Sequence, residues 1–154
     1  QGGTLRNSLV AFNKGGVNGF STSGGVYQNC TIANNTAGLS FNTGMTGLVE
    51  NCIVYLNSGT AQYAGAAVWT NSCTYPMPSG SYNAGMETNA PRFMNAALGD
   101  FSLHGSSPCI DKGVFRSWMT GAKDLAGNFR IIGSAVDMGA FEAPLSPGIV
   151  VLVR

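Results

Sequence analysis

Four carboxylates, Asp111, Asp124, Asp137 and Glu142, are the residues of this chain whose types and spacing come closest to chemistry. Two carboxylates that flank a bond can hydrolyse a glycoside, and a set of them can hold calcium. Each also stands where a carboxylate organises a turn. Asp111 precedes a Lys-Gly bend, Asp124 opens D-L-A-G-N, and Arg130 offers an ion partner. Asp side chains commonly accept hydrogen bonds from their own backbone in such places. The turn-forming role is the expectation, because a hydrolytic pair comes with a substrate cleft.

Other candidates fare no better. His104 is the single histidine, set in "SLHGSSP", and no Ser-His-Asp or His-Cys arrangement completes itself around it; it reads as a surface or packing residue. "GFSTSGG" is not a nucleophile elbow, since Ser23 stands where the last Gly is required. "GGVNG" lacks the Lys of a phosphate loop. Glu50, Arg6 and Lys14 are the charges of the first 86 residues, too sparse for acid–base work on an acidic sugar. Trp69 and Trp118 have the type to stack sugars, with packing the expected role. Asn29-Cys-Thr and Asn34-Asn-Thr match the glycosylation sequon. Cys30, Cys52, Cys73 and Cys109 fit no C-x-x-C or zinc spacing, and lean towards an oxidising compartment. No cofactor or metal motif emerges.

The elements that would position these residues come from a repeat. "GGTLRNSLVAFNKGG", "GGVYQNCTIANNTAG" and "TGLVENCIVYLNSGT" follow one another at 22-residue steps. They align Asn7, Asn29 and Asn51 in one column and Asn13, Asn35 and Asn57 in another. Between the columns, Ser8-Val10-Phe12, Cys30-Ile32-Asn34 and Cys52-Val54-Leu56 alternate as an inward strand face would. Leu9, Thr31, Ile53 and Ala11, Ala33, Tyr55 then point outward, without the regularity of a flat binding array. Val17 also keeps step with Leu39, and Gly19 with Phe41. Such a period describes coils of a parallel β-solenoid, about three to four of them over residues 1–78. Equivalent residues then stack at ~4.8 Å, which places Cys30 and Cys52 next to each other beneath Ser8, within disulfide range, as buried thiols or a bridge. Asn suits the corners, because it accepts the left-handed conformation and its amide can bond to the next coil.

A fourth, imperfect coil, "AAVWTNSCTYPMPSG", puts Asn71 twenty residues after Asn51 and ends in Pro76 and Pro78. Twelve of the fifteen charged residues lie after residue 86, which marks a change of architecture near residue 80. The net charge of +1 offers no clustered Lys and Arg for nucleic acid, and no apolar run reaches the length of a membrane span. The chain begins at Gln1 without an initiator Met and reads as a mature fragment.

The second half carries "NAPRFMNAALGDFSLHGSSPCIDKG" and "DLAGNFRIIGSAVDMGAFE". Its ordered N-x-P-x-F, G-D-F-x-L, S-P-x-I-D-x-G, D-x-x-G-N-x-R and V-D-x-G-A-x-E elements resemble the C-terminal region of bacterial right-handed parallel β-helix proteins of the choice-of-anchor Q type. The resemblance implies an all-β fold: a right-handed parallel β-helix over 1–78, and an irregular capping region over 79–142 packed on the last coil. Residues 143–154 depart from it and read as a tail, disordered or foreign. It also implies a disulfide between Cys73 in "SCTYP" and Cys109 in "SPCID", and an extracellular or surface-attached location.

Function is expected to be non-enzymatic, that of a stalk, cap or adhesive module with carbohydrate as the candidate partner. The alternative is the terminal part of a polysaccharide lyase or glycoside hydrolase whose catalytic coils lie upstream. A solenoid open at its first coil is also expected to self-associate there.

Overall fold

The protein was analysed as a computed structural model, which describes residues 3–15, 17–18, 25–42, 44, 46–59, 62–79 and 83–144. It is mostly β, and its only helical segments among the described residues are two 3-10 turns, Ala96–Leu98 and Ser117–Met119. The chain passes through three parallel sheets in rotation. The first circuit is β1 (Thr4–Arg6), β2 (Leu9–Ala11) and β3 (Val17–Asn18); the second is β4 (Val26–Gln28), β5 (Thr31–Ala33) and β6 (Leu39–Ser40). The third is β7 (Thr46–Glu50), β8 (Ile53–Tyr55) and β9 (Tyr63–Ala64), followed by β10 (Ala66–Thr70), β11 (Cys73–Thr74) and β12 (Asn83–Ala84). Neighbours in the sheets are β1-β4-β7-β10-β12, β2-β5-β8-β11 and β3-β6-β9.

The 22-residue repeat sets this register. Leu5 pairs with Tyr27 and Tyr27 with Val49, while Val10, Ile32 and Val54 are successive partners in the second sheet. After Asn57 the offset widens to 24 where β9 pairs with β6 and falls to 20 from β10 onward, so Asn71 takes the place that Asn51 holds one repeat earlier and Cys73 pairs with Ile53. Pro76 and Pro78 interrupt only the connection after β11. Parallel pairing resumes between β10 and β12 and reaches Glu87, which bridges to Cys73, so it runs past the expected boundary at 78.

Tyr27, Cys30, Ile32, Leu39, Phe41, Val49, Cys52, Val54 and Trp69 form the first core, to which all three sheets contribute. Edge-on rings fill it: Tyr63 lies 5.2 Å from Trp69 and Tyr27 5.8 Å from Phe41. Trp69 is therefore a packing residue, buried and unavailable to a sugar. The expected inward set holds at Val10, Ile32 and Val54 but fails one step later. Phe12, Asn34 and Leu56 have φ of 59°, 54° and 61°, and Phe12 and Leu56 are exposed. Left-handed backbone there ends each strand and shifts the alternation by one residue, which turns Asn35 and Asn57 inward instead.

The outward column is not a free surface. Thr31, Ala33 and Ile53 are buried, and Ile53 and Cys73 form a second core with Leu103, Cys109 and Met138. Residues 89–144 lie against this flank. Besides the two 3-10 turns they carry the antiparallel pair β13 (Phe93–Asn95) and β14 (Asp100–Leu103). Phe101 of β14 packs 5.8 Å from Phe12 of the first repeat and 5.2 Å from Phe93. The C-terminal region thus reaches along the repeats to the first of them, and is not confined to the last. The tail from residue 145 lies outside the described residues.

Candidate functional site

The four carboxylates come together, with Arg130, where the C-terminal region meets the second and third repeats. Asp111, Asp137 and Glu142 line one cavity of 140 Å³, closed by Gly105, Ile110, Gly133, Ala143 and Pro144. Asp124 joins from behind, its Oδ2 accepting from the Glu142 backbone N–H at 2.7 Å. Nearly every other oxygen is also committed to backbone. Asp111 Oδ1 accepts from Ala135 N–H at 3.0 Å, Asp137 Oδ1 from Asp111 at 2.7 Å, and Asp137 Oδ2 from Ala143 at 2.6 Å. Both Glu142 oxygens accept from Asp137 N–H, at 3.1 and 3.2 Å, and Asp124 Oδ1 accepts from Asn128 N–H at 2.7 Å. A loop-rich region with few strands must find partners for its buried N–H groups, and these side chains supply them.

Arg130 is fully buried among them. Its Nη2 donates to the carbonyls of Asp137 (3.3 Å) and Gly139 (3.1 Å) and pairs with Glu142 Oε1 at 3.1 Å. Burial pushes Glu142 up to about 8 against the pull of that guanidinium, raises Asp137 above the usual carboxylate range, and lowers Arg130. Among the described residues, no group of three or more His, Cys, Asp or Glu side chains could hold a metal ion. The arrangement holds the turns of the C-terminal region in place.

The two asparagine columns do different work. Asn13 Nδ2 donates to Asn35 Oδ1 and Asn35 Nδ2 to Asn57 Oδ1, both at 3.0 Å; Asn57 Nδ2 continues to Gln62 Oε1 at 3.1 Å. The same acceptors take the backbone N–H of the preceding Asn, so this column bonds chiefly along itself. In the other column, Asn7, Asn29, Asn51 and Asn71 all adopt positive φ, between 46° and 53°. Their amides donate to the carbonyls of Lys123 (2.9 Å), Asp137 (3.1 Å), Val114 (2.8 Å) and Lys112 (2.8 Å). Asn51 Oδ1 also accepts from Val114 N–H at 2.8 Å, while its Nδ2 reaches Asn29 Oδ1 at 3.3 Å. This column is a rail on which the C-terminal region docks. Gly139 completes the contact at φ 92°, where a Cβ would come within 2.8 Å of Thr31 Oγ1. Its N–H donates to Asn51 O at 2.7 Å, and Ala140 N–H to Thr31 Oγ1 at 3.0 Å.

All four cysteines are buried free thiols. The expected Cys73–Cys109 disulfide is absent. The two side chains do meet, but as thiols: they hydrogen-bond to each other, Cys73 Sγ also donates to Asn89 O at 3.4 Å, and that bonding together with burial raises the Cys73 thiol. Cys30 and Cys52 are neighbours in adjacent repeats, unbridged, with Cys30 N–H 3.4 Å from Cys52 Sγ. Their hydrogen bond lowers Cys30, and burial raises Cys52. They belong to a longer ladder. Ser8, Cys30, Cys52 and Ser72 each donate to the carbonyl two residues earlier, at 2.7, 3.3, 3.2 and 2.9 Å.

Sequence reasoning missed Gln62, Ser72 and Arg116. Asn71 is legible at its 20-residue step after Asn51, and the same step brings its neighbour Ser72 into line with Cys52, whereas Gln62 and Arg116 lie outside the repeat. Arg116 forks onto buried Glu50 (Nε to Oε1 2.9 Å and to Oε2 3.0 Å, with Nη2 on Oε2), and Gln28 Nε2 donates to the same Glu50 at 3.0 Å. The charge that stood alone in the sequence is thus paired. Trp118 is half-buried beneath the Arg6 guanidinium, 5.0 Å from its ring centre. Comparison with protein-family models, with curated proteins and with solved structures finds no match to this chain.

Proposed function

We propose that the rotating parallel sheets are coils of a right-handed parallel β-helix, and that the chain is a non-enzymatic structural or adhesive module. Its setting would be an extracellular or surface-attached bacterial protein, of the kind its C-terminal motifs resemble, with glycans as partner. What carries the reading is the state of the carboxylates. Asp111, Asp124, Asp137, Glu142 and Glu50 accept from the chain's own N–H and guanidinium groups, and a general acid or base needs an oxygen facing substrate. The 22-residue register and the stacked asparagines support the coil. The test is a glycan array run beside a reducing-sugar assay on the bound glycans. Binding without turnover is the expected result, and release of reducing ends or unsaturated sugars would overturn it.

Self-association belongs to the same reading. The outer edges of β1, β2 and β3 have no strand partner among the described residues, and such edges invite pairing. A two-fold dimer through the first coil closes both surfaces at once. Sedimentation should show mass rising with concentration, and a strict monomer would refute it.

A further inference from the structure

We infer that the basin lined by Asn89, Ala90, Arg92, Ser106 and Pro108 binds an oxyanion, the carboxylate or sulfate of an acidic sugar. Its volume is 340 Å³, enough for one sugar ring's acidic edge, and Arg92 is the one charged residue in its lining. Arg92 holds φ at 53°, a left-handed conformation that an arginine side chain does nothing to favour. Its guanidinium is nevertheless fixed. Nη1 donates to Ser106 Oγ at 3.1 Å and to Ser106 O at 3.4 Å.

Ser106 is oriented in turn by His104. The Ser106 N–H donates to His104 Nδ1 at 3.2 Å, so that nitrogen carries no proton and also accepts the Ser106 hydroxyl at 2.8 Å. With its proton committed to His104, Ser106 Oγ is an acceptor towards Arg92. The guanidinium is anchored by one nitrogen, and its Nε and Nη2 donors have no partner among the described residues. Those two N–H groups form the planar fork that matches a carboxylate or sulfate.

Arg92 makes no ion pair among the described residues, and Glu87, whose partner Asn89 lines the basin, turns its Oε1 to that residue, accepting its backbone N–H at 2.7 Å and its Nδ2 at 2.8 Å. His104 and Ser106 are thus positioning residues for a single cationic fork.

The site deepens the glycan-contacting part of the proposed function and rests on it. Chemical-shift titration of the full chain tests it with glucuronate, glucose and inorganic sulfate. Glucuronate and sulfate should shift the Arg92 and Ser106 amides, and glucose should not. Arg92→Gly suits the left-handed backbone, so it should fold at least as stably while losing about tenfold or more in affinity. Ser106→Ala should lose about threefold, by freeing the guanidinium. Sulfate binding without glucuronate binding assigns the basin to a free inorganic anion and overturns the sugar assignment. Equal shifts with glucose, or unchanged glucuronate binding by Arg92→Gly, overturn the site. A glycan that binds Arg92→Gly as well as the unaltered chain leaves the proposed function standing and ends this inference alone.

Discussion

Two columns of asparagine, six residues apart in each of the first three repeats, look alike in the sequence and serve opposite ends. The Asn13-Asn35-Asn57 column passes its hydrogen bonds from repeat to repeat and closes on Gln62. The Asn7-Asn29-Asn51-Asn71 column gives its amides to residues 41 to 116 positions away. One column holds the stack to itself, and the other holds the C-terminal region to the stack. Backbone geometry makes the division. The docking column occupies left-handed corners that hold its amides towards the C-terminal region, whereas in the self-bonded column the left-handed residue comes one position earlier and turns the amide inward.

Truncation should separate the two. Asn51→Ala strands the Val114 N–H and carbonyl and puts Ala in a left-handed corner, for a cost of about 3–5 kcal/mol. Asn51→Gly should recover about 1 kcal/mol of this, because only the backbone part is relieved. Asn35→Ala breaks the inner ladder in its middle and should cost about 2–4 kcal/mol, with no recovery on Asn35→Gly, since Asn35 has no positive φ to relieve. Equal rescue by Gly in both columns, measured by urea unfolding, would erase the distinction.

The docked side also carries a pH signature that the stack lacks. Glu142 rises from an ordinary 4.5 to about 8 in the folded chain, chiefly through burial. The folded state then holds a proton that the unfolded state has released, so this group's stabilisation is complete below about pH 4.5 and is lost as pH rises through about 8. Thermal unfolding followed from pH 5 to 9 should show the melting temperature falling, and Glu142→Gln should flatten the slope. A melting temperature that climbs over this range would contradict the assignment. The smallest effect is expected in the thiol ladder. Cys52→Ser should cost about 1 kcal/mol or less, because Ser8 and Ser72 already make the same bond with oxygen.

The stack was legible because its information is local and periodic. The 22-residue step fixed Leu5, Tyr27 and Val49 as partners, and put Cys30 next to Cys52. Phase within a repeat was harder to read. Phe12 and Leu56 look inward by alternation and are exposed, because nothing in a Phe or Leu announces left-handed backbone. Docking was illegible for a different reason. Thr31 and Ile53 face outward from the first core and are buried by residues 50 to 109 positions later, a pairing no spacing rule supplies. The carboxylates sit between these cases. Their turn-forming role could be read from D-L-A-G-N, and Arg130 as an ion partner for one of them, but not that the partner is Glu142 or that all four gather in one place.

Amide hydrogen exchange on Asn51→Gly, residue by residue, tests the division of labour most directly. If this column is a docking rail, residues 112–124 should lose protection by about tenfold or more, while Val26–Gln28 and Thr31–Ala33 keep theirs. Protection lost first or equally in those strands would mean that Asn51 holds the stack itself, and the account of two columns would fail.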